Sequence, residues 1–161
     1  MQEGNNYAGG YLVTNSWGRP LEFRMSSAIQ PNRVQQILYG WTLPAYICAD
    51  VIGKTLIEKA GMSVQLLVIH QDLLLDLRPR TSIPLLKLAH PDDPAPPTET
   101  IVRPGQNGRA AIARHQRYPE DASLLSAILE RIDPGFDLAE PFTRIREAMN
   151  EARKLNIARA A

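Results

Sequence analysis

The sequence predicts an α+β fold: a small antiparallel sheet of two hairpins packed on one or two helices, in the order β-β-α-α-β-β, with a C-terminal αα-hairpin beyond a proline-rich linker. Three observations carry this reading. Apolar residues alternate before residue 90, as in Leu21-Glu22-Phe23-Arg24-Met25, and recur with a helical period after residue 119, as in Leu124-Leu125-Ile128-Leu129-Ile132. Between the two patterns stand Pro91, Pro94, Pro96 and Pro97. The expected organisation is a flexible N-terminus over residues 1–9, a core module over 10–90, a linker rich in Pro, Gly and Arg over 91–118, and a helical arm over 119–161.

The strands come first. Tyr11-Leu12-Val13-Thr14 and Leu21 to Met25 flank the turn formers Asn15-Ser16-Trp17-Gly18-Arg19-Pro20, which predicts a hairpin. Alternation in the second strand assigns Leu21, Phe23 and Met25 to the core and Glu22 and Arg24 to water. Trp17 at the loop tip either folds over the sheet edge or forms a binding hot spot, because an exposed indole forgoes a large burial term.

Two helices follow. Pro31 opens the first and Gly40 closes it, with Val34, Ile37 and Leu38 as its buried stripe. Thr42 is the expected N-cap of a longer helix, with Pro44 in its first turn and Gly61 as its stop. Along it Ile47, Cys48, Val51, Ile52 and Leu56 cover a wide arc and leave Asp50, Lys54 and Glu58 as a polar ladder. Gly53 inside such a helix costs about 1 kcal/mol relative to Ala, so close backbone packing is one reason for it.

Val64 to Ile69 and Leu73 to Leu77, joined through His70-Gln71-Asp72, suggest a second hairpin. Its Leu73-Leu74-Leu75 run carries leucine on both faces and so belongs at the centre of a sheet or at an interface. Residues 81–88 read as a short capped helix or an irregular strand. The element order is loosely similar to that of profilin-like and roadblock-like modules, a likeness of order and not of motif.

In the linker, Thr100-Ile101-Val102 suggests an edge strand and Ala110 to Gln116 one or two helical turns. Pro119, Glu120 and Asp121 then make a good helix start, and Asp133-Pro134-Gly135 a stop. A second helix carries Leu138, Phe142, Ile145, Met149 and Ala152 on one side, with Glu140 and Arg144 able to pair. These two stripes cannot hide each other completely, so the arm docks on its own first segment, on a second copy or on another protein.

Composition narrows the function. With 44% apolar residues, 161 residues can bury a core without disulfides or metals. Eighteen basic side chains against 17 acidic ones leave no global field to recruit nucleic acid or an anionic membrane. The lone Cys48, the absence of Cys/His clusters and the absence of a signal-like N-terminus or a run of roughly 20 apolar residues predict a soluble, cytoplasmic protein without a metal, cofactor or membrane partner. An exported protein whose signal had been removed would read the same way.

No catalytic motif is present, although a site assembled only by the fold would leave none. Cys48 with His70 is the one conceivable nucleophile pair, and Cys48 lies on an apolar stripe where a cysteine usually packs. The expected function is a non-catalytic protein–protein interaction or scaffold module, a homo-oligomer or a subunit of a larger assembly, with Trp17, Leu74, Leu138, Phe142, Ile145 and Met149 as interface candidates. One alternative is a nucleic-acid accessory protein using Arg103, Arg109, Arg114 and Arg117, whose guanidinium forks match phosphate oxygens. Another is an enzyme with an unrecognised pocket.

Overall fold

The computed structural model describes residues 2–3, 6–88, 112–114 and 117–160, and the fold is mixed α+β. The first elements are β1 (Gln2–Glu3) paired with β2 (Asn6–Tyr7), then β3 (Gly10–Thr14) paired antiparallel with β4 (Pro20–Met25). Within the stretch expected to be flexible, Tyr7 and Ala8 are buried, and Tyr7 exchanges both backbone hydrogen bonds with Ile29.

The β3–β4 hairpin is closed by Asn15, whose Oδ1 accepts from the N–H groups of Trp17 and Arg19. Gly18 sits at φ +78°, and a Cβ there would lie 2.3 Å from the Phe136 ring, so both conformation and space demand glycine. The two faces of β4 are not distributed as the alternation predicts. Leu21 is 47% exposed, whereas the Glu22 side chain is only 14% exposed. The cause is a specific polar clamp: Glu22 accepts from Tyr11 Oη and Arg24 Nε, each at 2.6 Å, and from the N–H groups of Gly61 and Met62. Four donors on one carboxylate outweigh its generic preference for water.

Helix α1 (Arg33–Tyr39) begins at a capping box, in which Asn32 accepts from the Gln35 N–H and Gln35 returns the bond to the Asn32 N–H. It ends at Gly40, which takes φ +53°. Thr42, expected as the next N-cap, instead donates its hydroxyl to the Tyr39 carbonyl inside a 3₁₀ turn (Gly40–Thr42). The central helical run then passes through α2 (Leu43–Ala45), a π-helical stretch (Tyr46–Gly53) and α3 (Lys54–Glu58). The wider π turn spreads the side chains over a broad arc, with Ile47, Ala49, Ile52 and Gly53 buried.

Leu73–Leu77 corrects the expected second hairpin: the segment is a 3₁₀ helix (Asp72–Arg80), not a strand. Leucine is a good helix former, Asp72 lies at the positive end, and Arg78 and Arg80 lie at the negative end. A leucine run looks two-faced at period 2, but period 3 places Leu74 and Leu77 one turn apart, and both join a cluster with Ala49, Ile69 and Leu85. A Cβ on Gly53 would meet Leu77 Cδ2 at 2.8 Å, which is the close packing that the glycine serves.

This helix is the crossover that lets β5 (Leu67–Ile69) pair parallel with β6 (Leu85–Leu88), since parallel strands need a long connection. β6 also pairs antiparallel with β7 (Ile112–Arg114), so part of the segment expected as helical turns is an edge strand completing the sheet. All four β6 residues are buried, including Lys87, whose Nζ lies 2.6 Å from Asp72.

Helices α4 (Asp121–Leu129) and α5 (Glu140–Ala160) lie against this framework. Leu125, Leu129 and Leu138 share a core cluster with Leu86 and Leu88. A Cβ on Gly10 of β3 would lie 2.8 Å from Met149 Sδ, so α5 approaches the hairpin backbone directly. Polar ties reinforce the docking: Arg78 makes a bidentate contact with the fully buried Asp121 at 2.6 and 2.8 Å while its guanidinium covers the Tyr118 ring. Arg144 donates to the Gly18 carbonyl at 3.0 Å and pairs with Glu140 at 2.6 Å.

Candidate interaction surface

Helix α1 is inverted with respect to the molecule. Its periodicity identifies Val34, Ile37 and Leu38 as one stripe, yet these residues are 62%, 65% and 76% exposed, and α1 contains no buried residue. The buried stripe expected there is therefore an outward face. Inward, the half-buried residue is Gln36, whose amide donates to the Pro31 carbonyl at 3.1 Å. Trp41, immediately past the Gly40 break, is 91% exposed and extends the same apolar end of the molecule.

The local chemistry explains why a seven-residue helix persists without burying its stripe. A helix this short is marginal by itself. The capping box holds its first turn, Gly40 terminates its last, and the Tyr39 ring stacks on Tyr46 of the central run with centroids 4.5 Å apart. The result is a platform fixed at both ends and apolar across its open side. Arg33 is the one charged residue between Asn32 and Thr42.

The other interface candidates are distributed differently. Leu138 and Met149 are buried inside the chain, Phe142 and Ile145 are half-buried on α5, and Leu74 of the 3₁₀ helix packs against the Ala49, Ile69, Leu77 and Leu85 cluster. Trp17 is 71% exposed at the hairpin tip. It rims an open depression of about 470 Å³ with Phe136, Gly135, Asp133, Asp137 and Glu140. The carboxylates there have structural partners: Asp133 accepts from the Gly135 N–H, Asp137 from the Ala139 N–H, and Glu140 pairs with Arg144.

Of the arginines considered for phosphate contact, Arg103 and Arg109 lie outside the described residues. Arg114 lies on β7, and Arg117 is exposed just before α4. Cys48 packs against the Tyr7, Leu43, Ile47 and Ile52 cluster, and burial pushes its thiol pKa up. His70 instead lies against the Phe142 ring, 4.5 Å between centroids, so the two members of the conceivable dyad belong to different packing groups. Among the described residues no group of three or more His, Cys, Asp or Glu side chains is arranged to hold a metal, and no helix is long and apolar enough to cross a membrane.

Sequence reasoning missed the α1 face because periodicity reports that a stripe exists and not what covers it. A signal was present. Ile37-Leu38-Tyr39-Gly40-Trp41 packs four large apolar residues around one helix end, more than a single buried stripe uses. The fold and surface together define a mixed α+β protein with an apolar surface helix. No family model matches the chain, and no curated protein or solved structure matches it either.

Proposed function

We propose that this chain is a non-catalytic protein–protein interaction module, working as a homo-oligomer or as a subunit of a larger assembly in the cytoplasm, with the α1–Trp41 face as its contact surface. The observation that carries the reading is the outward stripe itself. Val34, Ile37 and Leu38 on the capped helix α1, and Trp41 on the 3₁₀ turn that follows it, are each more than half exposed. Contiguous exposed apolar area of this kind marks interaction sites, and depletion of charge with enrichment of aromatic residues is the composition of an interface centre. The burial-raised thiol of Cys48 accords with a packing role and not a nucleophilic one.

The test is solution mass by light scattering over a concentration series, together with recovery of stoichiometric partners, for the wild type and Leu38→Asp. Because Leu38 is 76% exposed, the substitution leaves the folded monomer within about 0.5 kcal/mol of wild type. It is expected to abolish association. A wild type that is monomeric at high concentration and recovers no partner would sink the reading.

A further inference from the structure

We infer that the occupant of the α1 face is a second copy of this chain, with the two α1 helices antiparallel across a two-fold axis near Ile37. The inference rests on the interaction reading above and adds the partner and its register. Three observations point to self-pairing.

The first is area. With aromatic side chains contributing roughly 150–250 Å² each when buried, the exposed parts of Val34, Ile37, Leu38, Tyr39 and Trp41 amount to several hundred Å². A standard interface takes about 800 Å² from each partner, and much of that is supplied here by one helix and its following turn.

The second is charge. Arg33 lies in the first turn of α1, where a cation meets the positive end of its own helix, and no acidic residue accompanies it. Antiparallel pairing moves it to the negative end of the partner's helix. There it also meets the exposed indole that follows that end, a favourable cation–π arrangement.

The third is register. Arg33 opens α1 and Trp41 follows its end just past Gly40, so an antiparallel pairing about a two-fold axis near Ile37 brings each Arg33 toward the end of the other copy that carries Trp41. The same axis brings Val34 close to the other copy's Leu38. A two-fold contact must be self-complementary, and this stripe is: apolar at its centre, cationic at one end and aromatic at the other. An unrelated partner would require none of these coincidences.

The experiment combines a double-mutant cycle with site-specific cross-linking on the full chain. Within one copy, the length of α1 stands between Arg33 in its first turn and Trp41 beyond its end, so their effects on dimerisation should add unless they meet across the interface. Arg33→Gln and Trp41→Ala are each expected to weaken the dimer by roughly tenfold or more, and the double substitution by less than the product. In a Cys48→Ala background, Ile37→Cys is expected to form a covalent dimer under mild oxidation far faster than Glu147→Cys, an exposed site on α5. Circular dichroism checks that each variant is folded.

A dimer that survives Leu38→Asp and shows additive effects at Arg33 and Trp41 overturns the inference by placing self-association elsewhere, while the module reading stands. A monomer that binds a different protein through Leu38 also overturns it and also leaves that reading intact. Sedimentation with phosphatidylcholine–phosphatidylglycerol vesicles, lost in Leu38→Asp and without dimer formation, would replace both with a membrane contact. A monomer that does none of these overturns both.

Discussion

Helices α1 and α4 carry the same kind of apolar stripe and meet opposite fates. In α4, Leu125 and Leu129 reach the Leu86–Leu88 strand and are buried, whereas in α1 Val34, Ile37 and Leu38 face outward. Neither helix is long, and neither is more clearly amphipathic in sequence. The difference lies in what stands opposite: β6 is a fully buried strand that offers Leu86 and Leu88 to α4, and α1 turns only Gln36 and the stacked Tyr39 ring to the molecule. An apolar stripe therefore shows that a helix has a distinct face, and only the rest of the chain decides whether that face is covered internally.

The contrast can be broken most forcefully at Asp121. Replacing it with alanine strands the buried Arg78 guanidinium without its bidentate partner, and removing one member of a buried pair costs about 3–5 kcal/mol. Urea unfolding should show this loss. The surface pair between Arg80 and Asp50 should yield no more than about 1 kcal/mol in the same assay.

Next in size is the stripe comparison itself. Leu125→Ala is expected to destabilise by about 2–5 kcal/mol because the residue is fully buried. At concentrations where the protein is monomeric, Leu38→Ala should stay within about 0.5 kcal/mol of wild type. Equal losses at the two positions would mean that α1 is covered within its own chain.

A smaller effect tests the polar clamp of the hairpin by pH. Hydrogen bonds from Tyr11, the Gly61 N–H and Arg24 hold the Glu22 carboxyl at about 2, below its ordinary 4.5. A depressed acid stabilises the fold fully above its unfolded value and loses that contribution as pH falls through the folded value. The thermal midpoint of wild type should therefore exceed that of Glu22→Gln near neutrality and converge on it between about pH 4.5 and 2. Burial, then the bond to Glu22, push Tyr11 up to about 12, so the alkaline limb runs the other way. Stability supplied by the neutral phenol is full below about 10 and is lost as pH rises through about 12.

Much of this architecture is legible in the chain. The hairpin follows from turn formers between two β-rich runs, Gly40 ends α1 as its left-handed conformation requires, and Pro119 and Asp133-Pro134-Gly135 bracket α4. What escapes reading depends on non-local partners. Leu73-Leu74-Leu75 carries no β-branched residue to tell a strand from a 3₁₀ helix, and packing on the π-helical stretch decides it. Glu22 turns inward because Gly61 and Met62, far along the chain, present their N–H groups to it. The candidate surface was legible as a stripe and illegible as a surface.

The approach of α5 to β3 also bears on how the chain is made. Met149 closes over Gly10, and Leu125 and Leu138 complete the cluster around β6, so segments far apart in the sequence pack against one another. Contacts of such large sequence separation pay loop-closure entropy before they return any burial, which slows folding. Leu86 and Leu88 of β6 take their cover from Leu125, Leu129 and Leu138, whereas Leu85 has its own cluster with Ala49, Ile69 and Leu77.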